Sequence, residues 1–286
     1  MISRHSIRLK RPRALPGAVF VCAFWIGAAL AGPEDLTERA RGTATVLTGD
    51  TLAVDGLPEV RLAGVRAPHG RAETFGAPFA ADARDGLAQL LSGHQVSIRP
   101  IAVPEDREGA ERAHVLRDDG LWLQGELVQR GLVRVALSAD SADFGDELLA
   151  LEREARAAKR GLWALNAYAV RAASDLDRVN RDVGTYQLIA GTVASTARRG
   201  DQIYLNFGAD YREDMTAMIP REAWTAFNKI KPLALTGRKI QVRGWVMRQN
   251  GPAVMLTTPA LLEVLDADQQ PAPPPKKPRK RAKKAA

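Results

Sequence analysis

Within twenty-three residues the chain fits three short runs, 43–47, 51–55 and 59–65, each alternating or apolar and separated from the next by a turn signal. The separators are Thr48-Gly49-Asp50 and Asp55-Gly56-Leu57-Pro58, and runs this short between such turns are strands, because helices need ten or more residues to bury a face. A tight antiparallel meander follows, which must then be covered by what comes next. Residues 75–92 place Phe79, Ala83, Leu87, Leu90 and Leu91 at helical spacing before Ser92-Gly93 stops them. Strands are expected at 95–101 and 112–116, a short helix at 121–130 and a longer one at 144–160, with Gly161 as its stop. Five strands with interspersed helices suit a small closed β-barrel with helices, an α+β fold.

Both ends are basic for reasons that do not concern a barrel. Residues 1–13 carry five Lys or Arg and no acid, and an apolar run to residue 31 ends in Ala29-Leu30-Ala31, the small-x-small form of an export cleavage site. Residues 1–31 therefore read as a signal peptide of an exported, periplasmic or secreted protein. A membrane contact is expected only if that segment stays uncleaved. Residues 267–286 are rich in Pro and Lys, with Lys276, Lys277, Arg279, Lys280, Arg281, Lys283 and Lys284 in one acid-free stretch. Such a tail cannot bury apolar surface and reads as disordered. It suits non-specific contact with nucleic acid or another polyanion through counterion release. Removing the five leading and seven trailing cations from the formal charge of +8 leaves −4 for residues 32–270, so the folded body exerts no global pull on phosphates. Cys22, the lone cysteine, lies in the leader, which excludes disulfides, cysteine-ligated zinc and a thiol nucleophile from the rest.

Four segments in order, Thr48-Gly49-Asp50-Thr51, Arg61-Leu62-Ala63-Gly64-Val65-Arg66-Ala67-Pro68-His69, Asp106-Arg107-Glu108-Gly109-Ala110 and Lys159-Arg160-Gly161-Leu162-Trp163, resemble the signature of the staphylococcal nuclease-like (thermonuclease, TNase-like) family. The resemblance covers residues 40–165 and implies an OB-fold domain. It also implies a phosphodiester hydrolase that uses one calcium ion, an activated water and two phosphate-binding arginines. By that resemblance Asp50 holds the first metal-ligand position and Arg61 the first phosphate position. Arg66 stands at the second metal ligand, His69 at the glutamate that handles water, and Ala110 at the second arginine. A unit charge about 4 Å from a divalent ion contributes about 8 kcal/mol at an effective dielectric near 20, and exchanging Asp for Arg reverses its sign. A degenerate site with no cofactor is the expectation, in which the Arg66 guanidinium takes the place of calcium beside Asp50. Two compensations are open: His69 as a base with Arg61 on the phosphate, and Arg112, two residues along the strand from Ala110, as the second phosphate ligand. His94 and His114 show no metal-ligand spacing.

Residues 32–39 and 166–182 read as linkers. Residues 183–266 read as a second small, mostly β, OB-like domain with strands near 189–195, 202–207, 215–219, 239–247 and 253–257 and one helix at 221–230. Tyr204, Phe207 and Trp245 with Arg238, Lys239 and Arg243 form a candidate stacking platform for single strands. Three function classes stay open: a pseudonuclease that binds nucleic acid or a protein partner, an active nuclease with an altered, metal-independent site, and an envelope-associated interaction protein.

Overall fold

The structure is a computed structural model, and it describes residues 33–68, 77–105 and 109–265, without the side chains of 103–105. The leader, His69, the segment 106–108 and the basic tail lie outside the described residues. The described residues pack as one compact body, and among them no helix is long and apolar enough to cross a membrane.

The fold is mixed α+β. Its first half contains β1 (Ala40–Gly42), β2 (Ala44–Thr48), β3 (Thr51–Val54), β4 (Val60–Leu62), β5 (Val65–Arg66), α1 (Ala80–Leu91), β6 (Val96–Glu105), β7 (Glu111–Arg117), α2 (Leu123–Gln129), β8 (Arg134–Val135) and α3 (Gly145–Ala157). A curled six-stranded sheet runs β1-β6-β7-β4-β3-β2, and β5 pairs separately with β8. The expected third strand is thus split. Gly64 takes a left-handed φ of 75°, a conformation a side chain would resist, and the chain turns out of the sheet there. That break carries Val65 and Arg66 away from β4 to pair with Val135 and Arg134. Leu52, Leu62, Leu87, Ile98, Leu127 and Leu148 fill the interior, each essentially without exposure.

The second half contains β9 (Arg171–Ala172), α4 (Leu176–Arg181), β10 (Tyr186–Thr192), β11 (Ser195–Arg199), β12 (Gln202–Asn206), β13 (Thr216–Pro220), β14 (Lys239–Gln249), β15 (Gly251–Met255) and β16 (Leu262–Val264). Its sheet runs β11-β12-β13-β15-β14-β10-β9, with β16 also on β14. Residues 166–182 contain β9 and α4, and β9 lies parallel to β10. The helix expected at 221–230 is instead a pair of 3₁₀ turns, Arg221–Ala223 and Ala226–Lys229. Ala223 and Phe227 are buried four residues apart, which matches a helical period. The segment is hemmed in by Pro220 and Pro232, and its bonds close mostly at three residues, as Phe227 N to Trp224 O and Ile230 N to Phe227 O.

Buried polar contacts tie the halves together. Arg243 on β14 meets Glu152 on α3 at 2.8 Å with both side chains almost wholly covered, and Glu152 also accepts from Val135 N at 2.8 Å. Arg134 donates to Tyr186 O at 2.7 Å, and Arg243 donates to Val135 O at 3.2 Å. Burial pushes the Tyr186 phenol up to about 12, so it stays a neutral donor to Val135 O at 3.3 Å. Unpaired charges at such depth would cost several kcal/mol each. Each half therefore supplies the counter-groups that allow the other's charges to be buried.

Candidate active-site pocket

The site is assembled from the β2–β3 hairpin, the split strand and the start of β7. Gly49 sits where a Cβ would come within 2.7 Å of Ala67 and Ala83, so the hairpin presses against both the segment after β5 and α1. This close approach buries the Asp50 carboxylate. Its Oδ1 accepts from the hydroxyls of Thr48 (2.8 Å) and Thr51 (3.2 Å). Its Oδ2 accepts from Ala67 N at 2.9 Å. Asp50 O further accepts from Leu62 N at 2.9 Å, so this residue clasps three pieces of chain.

β4 and β7 are parallel, with Arg61 opposite Arg112. In-register neighbours on adjacent strands share a face at about 4.8 Å spacing, so these two arginines stand side by side. Arg61 lies 3.8 Å from Glu59. Arg112 is gripped by Asp140 at 2.6 and 3.2 Å and reaches Ser138 Oγ at 3.5 Å. The Arg112 guanidinium holds the Asp140 carboxyl down to about 2, against partial burial that works the other way. Arg112 is therefore part of a bidentate pair rather than a solvated strand-end charge. Ala110 is buried.

Arg66 has a partner that the linear pattern did not suggest. Its guanidinium carbon lies 4.4 Å from the ring centroid of Trp245 on β14, close enough for a cation–π contact worth about 0.5–2 kcal/mol. Trp245 in turn meets Tyr186 edge to face at 6.1 Å. The second half thus walls the pocket. Asp50, Arg61, Arg66 and Arg112 line one side of a cavity of about 370 Å³, and Tyr186, Trp245, Met247 and Met255 line the other. The stacking platform expected on the second half is dispersed. Trp245 belongs to this pocket, Arg243 to the buried pair with Glu152, and the half-buried Phe207 packs beside Gly191 against the edge of the core; Tyr204 lines a different cleft.

Residues 59–165 match the family described as Staphylococcal nuclease homologue. The chain carries a staphylococcal nuclease-like domain. A curated relative, "Probable endonuclease LCL3" of Komagataella phaffii (strain GS115 / ATCC 20864), is 28% identical over 159 residues, 53% of this chain and 62% of the relative. The alignment therefore spans less than two thirds of that relative's length.

The nuclease-like domain holds two further histidines in settings that residue spacing did not reveal. β6 and β7 pair Val96 with Arg117, which brings His94 Nδ1 to 2.7 Å from Asp118 and groups both with Asp119. The trio is at the far end of β7, about 20 Å from Arg112 by strand rise. Twenty-four residues of sequence hide that proximity. His114 is fully enclosed, 5.0 Å from Phe144 and 5.7 Å from Trp122 between ring centroids. Burial alone lowers it to about 4. The trp–phe surround leaves it a neutral core side chain.

Proposed function

We propose that the nuclease-like domain of this chain is a pseudonuclease, a barrel that contacts nucleic acid without cutting it. The observation that carries this reading is the Arg66 guanidinium lying 4.4 Å from the Trp245 ring, at the residue that the resemblance aligns with the family's second metal ligand. Calcium takes six to eight oxygen ligands. Among the described residues the pocket is lined by one carboxylate, Asp50, whose oxygens accept hydrogen bonds from Thr48, Thr51 and Ala67. These groups do not fit a resident calcium ion. Arg61 is suited to pairing with backbone phosphate, and the in-register Arg112 would join it only by exchanging its bidentate Asp140 partner for the phosphate; the tail from Lys276 to Lys284 adds a sequence-independent attraction. Residues 1–31 would deliver the protein outside the cytoplasm.

The second reading is hydrolysis without the family's metal, by His69 as base and Arg61 on the phosphate. The similarity to a protein named as a probable endonuclease favours it. The two separate in one assay. Incubation of plasmid and single-stranded DNA with calcium and then with chelator should leave both substrates intact, while retardation on a gel persists at low salt and fades as salt rises. Chelator-resistant cleavage abolished by His69→Ala would establish the second reading instead.

A further inference from the structure

The second half has a cleft of its own on β11, β12 and β13. Register places Ala197 and Met218 on either side of Tyr204, and Ser195 and Thr216 on either side of Asn206. These residues share one face of the three strands, because side chains alternate and Ile203, Leu205, Ala217 and Ile219 occupy the buried face. The floor is apolar where Met218 is almost wholly covered. The mouth is formed by Tyr211, 54% exposed, and by Gln249 and Asn250 of the β14–β15 hairpin. The enclosed volume is about 410 Å³, within the usual range for a small-ligand site.

The chemistry of the lining is selective. It contains two tyrosine rings, three side-chain amides and one cation, Arg199, and no carboxylate. Among the described residues Arg199 has no ion-pair partner. The Asn206 amide is oriented by donating to Ser195 Oγ at 3.0 Å and accepting from Thr216 Oγ1 at 3.3 Å. One N–H and one lone pair of that amide remain for a ligand. Aromatic faces take bases by stacking. Amides offer the paired donor and acceptor that base edges require, and an arginine without a carboxylate in the lining takes phosphate. We propose that this cleft binds a nucleotide unit, with the base on Tyr204 and Tyr211, its edge read by Asn206 and the hairpin amides, and its phosphate at Arg199. The site is separate from the Asp50 pocket and stands whether or not that pocket hydrolyses anything.

The test is equilibrium binding to the full chain by calorimetry with three probes: adenosine monophosphate, ribose 5-phosphate, and a short oligothymidylate. The mononucleotide should bind measurably, ribose 5-phosphate at least tenfold more weakly, and Tyr204→Ala should weaken mononucleotide binding about 5- to 150-fold, the range of one base stack. Tyr204→Phe, which keeps the ring, should restore it. Tyr211→Ala, an exposed site that leaves the strands intact, should weaken it in the same direction. Tighter binding of the oligonucleotide than of the mononucleotide, still lowered by Tyr204→Ala at raised salt, identifies a single strand as the source of the unit; the reverse order identifies a free nucleotide. Absence of mononucleotide binding, equal affinity for ribose 5-phosphate, or full affinity in both tyrosine-to-alanine variants would overturn the proposal.

Discussion

Replacing Asp50 by alanine should destabilise the protein whether or not calcium is present. The carboxylate is 1% exposed and receives two hydroxyls and the Ala67 amide. Removing it leaves that amide buried without this acceptor, at about 1–3 kcal/mol, and gives up hydrogen bonds to a charged group worth about 1.5–3 kcal/mol. These costs overlap, since the two threonine hydroxyls can rotate, so a total of about 3–5 kcal/mol is expected. For a folded body of this size each kcal/mol moves the melting temperature by about 2–4 °C, so a fall of roughly 6–20 °C should appear in thermal unfolding followed by circular dichroism. Asp50→Asn, which keeps one oxygen acceptor, should lose less. A vestigial metal ligand would behave oppositely, because relieving uncompensated negative charge stabilises. An Asp50→Ala protein that melts at or above the parent temperature would refute the clasp.

Stability should fall with acid through His114. Its folded value of about 4 lies below the ordinary 6.5, so the unfolded chain takes up a proton first. The contribution is complete above pH 6.5 and is lost as pH drops toward 4, by about 3 kcal/mol at 1.36 kcal/mol per unit; urea midpoints across that window should show the slope, and His114→Phe should flatten it. Glu152→Leu should cost about 3–5 kcal/mol by leaving the Arg243 charge buried without its partner. The double variant Glu152→Leu/Arg243→Met should regain most of this, and both halves should melt in one transition in each protein. Trp245→Ala should cost about 0.5–2 kcal/mol through the lost cation–π contact, beyond its burial, and the same loss should be absent in an Arg66→Ala background.

The short-range features were legible in the chain because they are local chemistry. Thr48-Gly49-Asp50 marks a hairpin, and the hairpin is there; the mixed α+β fold followed from the order of such marks, and the nuclease-like domain from the resemblance of four segments to that family. The break in the third strand was not, since residues 59–65 keep an unbroken strand-like pattern and only the left-handed Gly64 reveals the exit. That exit decides the site, because it aims Arg66 at Trp245, 179 positions further along the chain. Asp140 was invisible for a similar reason. Nothing in Ser138-Ala139-Asp140-Ser141 distinguishes a loop carboxylate that will clamp Arg112 from one that faces water. The 3₁₀ turns near 221–230 show the complementary limit, since a buried pair four residues apart fits either kind of turn.

The proposal that this pocket holds no calcium, with Arg66 at the family's second metal-ligand position, is tested most directly by calcium titration of the full chain followed by thermal unfolding. Ligand at a hundred times its dissociation constant would stabilise by about 2.7 kcal/mol. The account predicts a melting temperature unchanged through millimolar calcium, in the parent and in Asp50→Asn alike. A saturable rise in the parent that disappears in Asp50→Asn would contradict it.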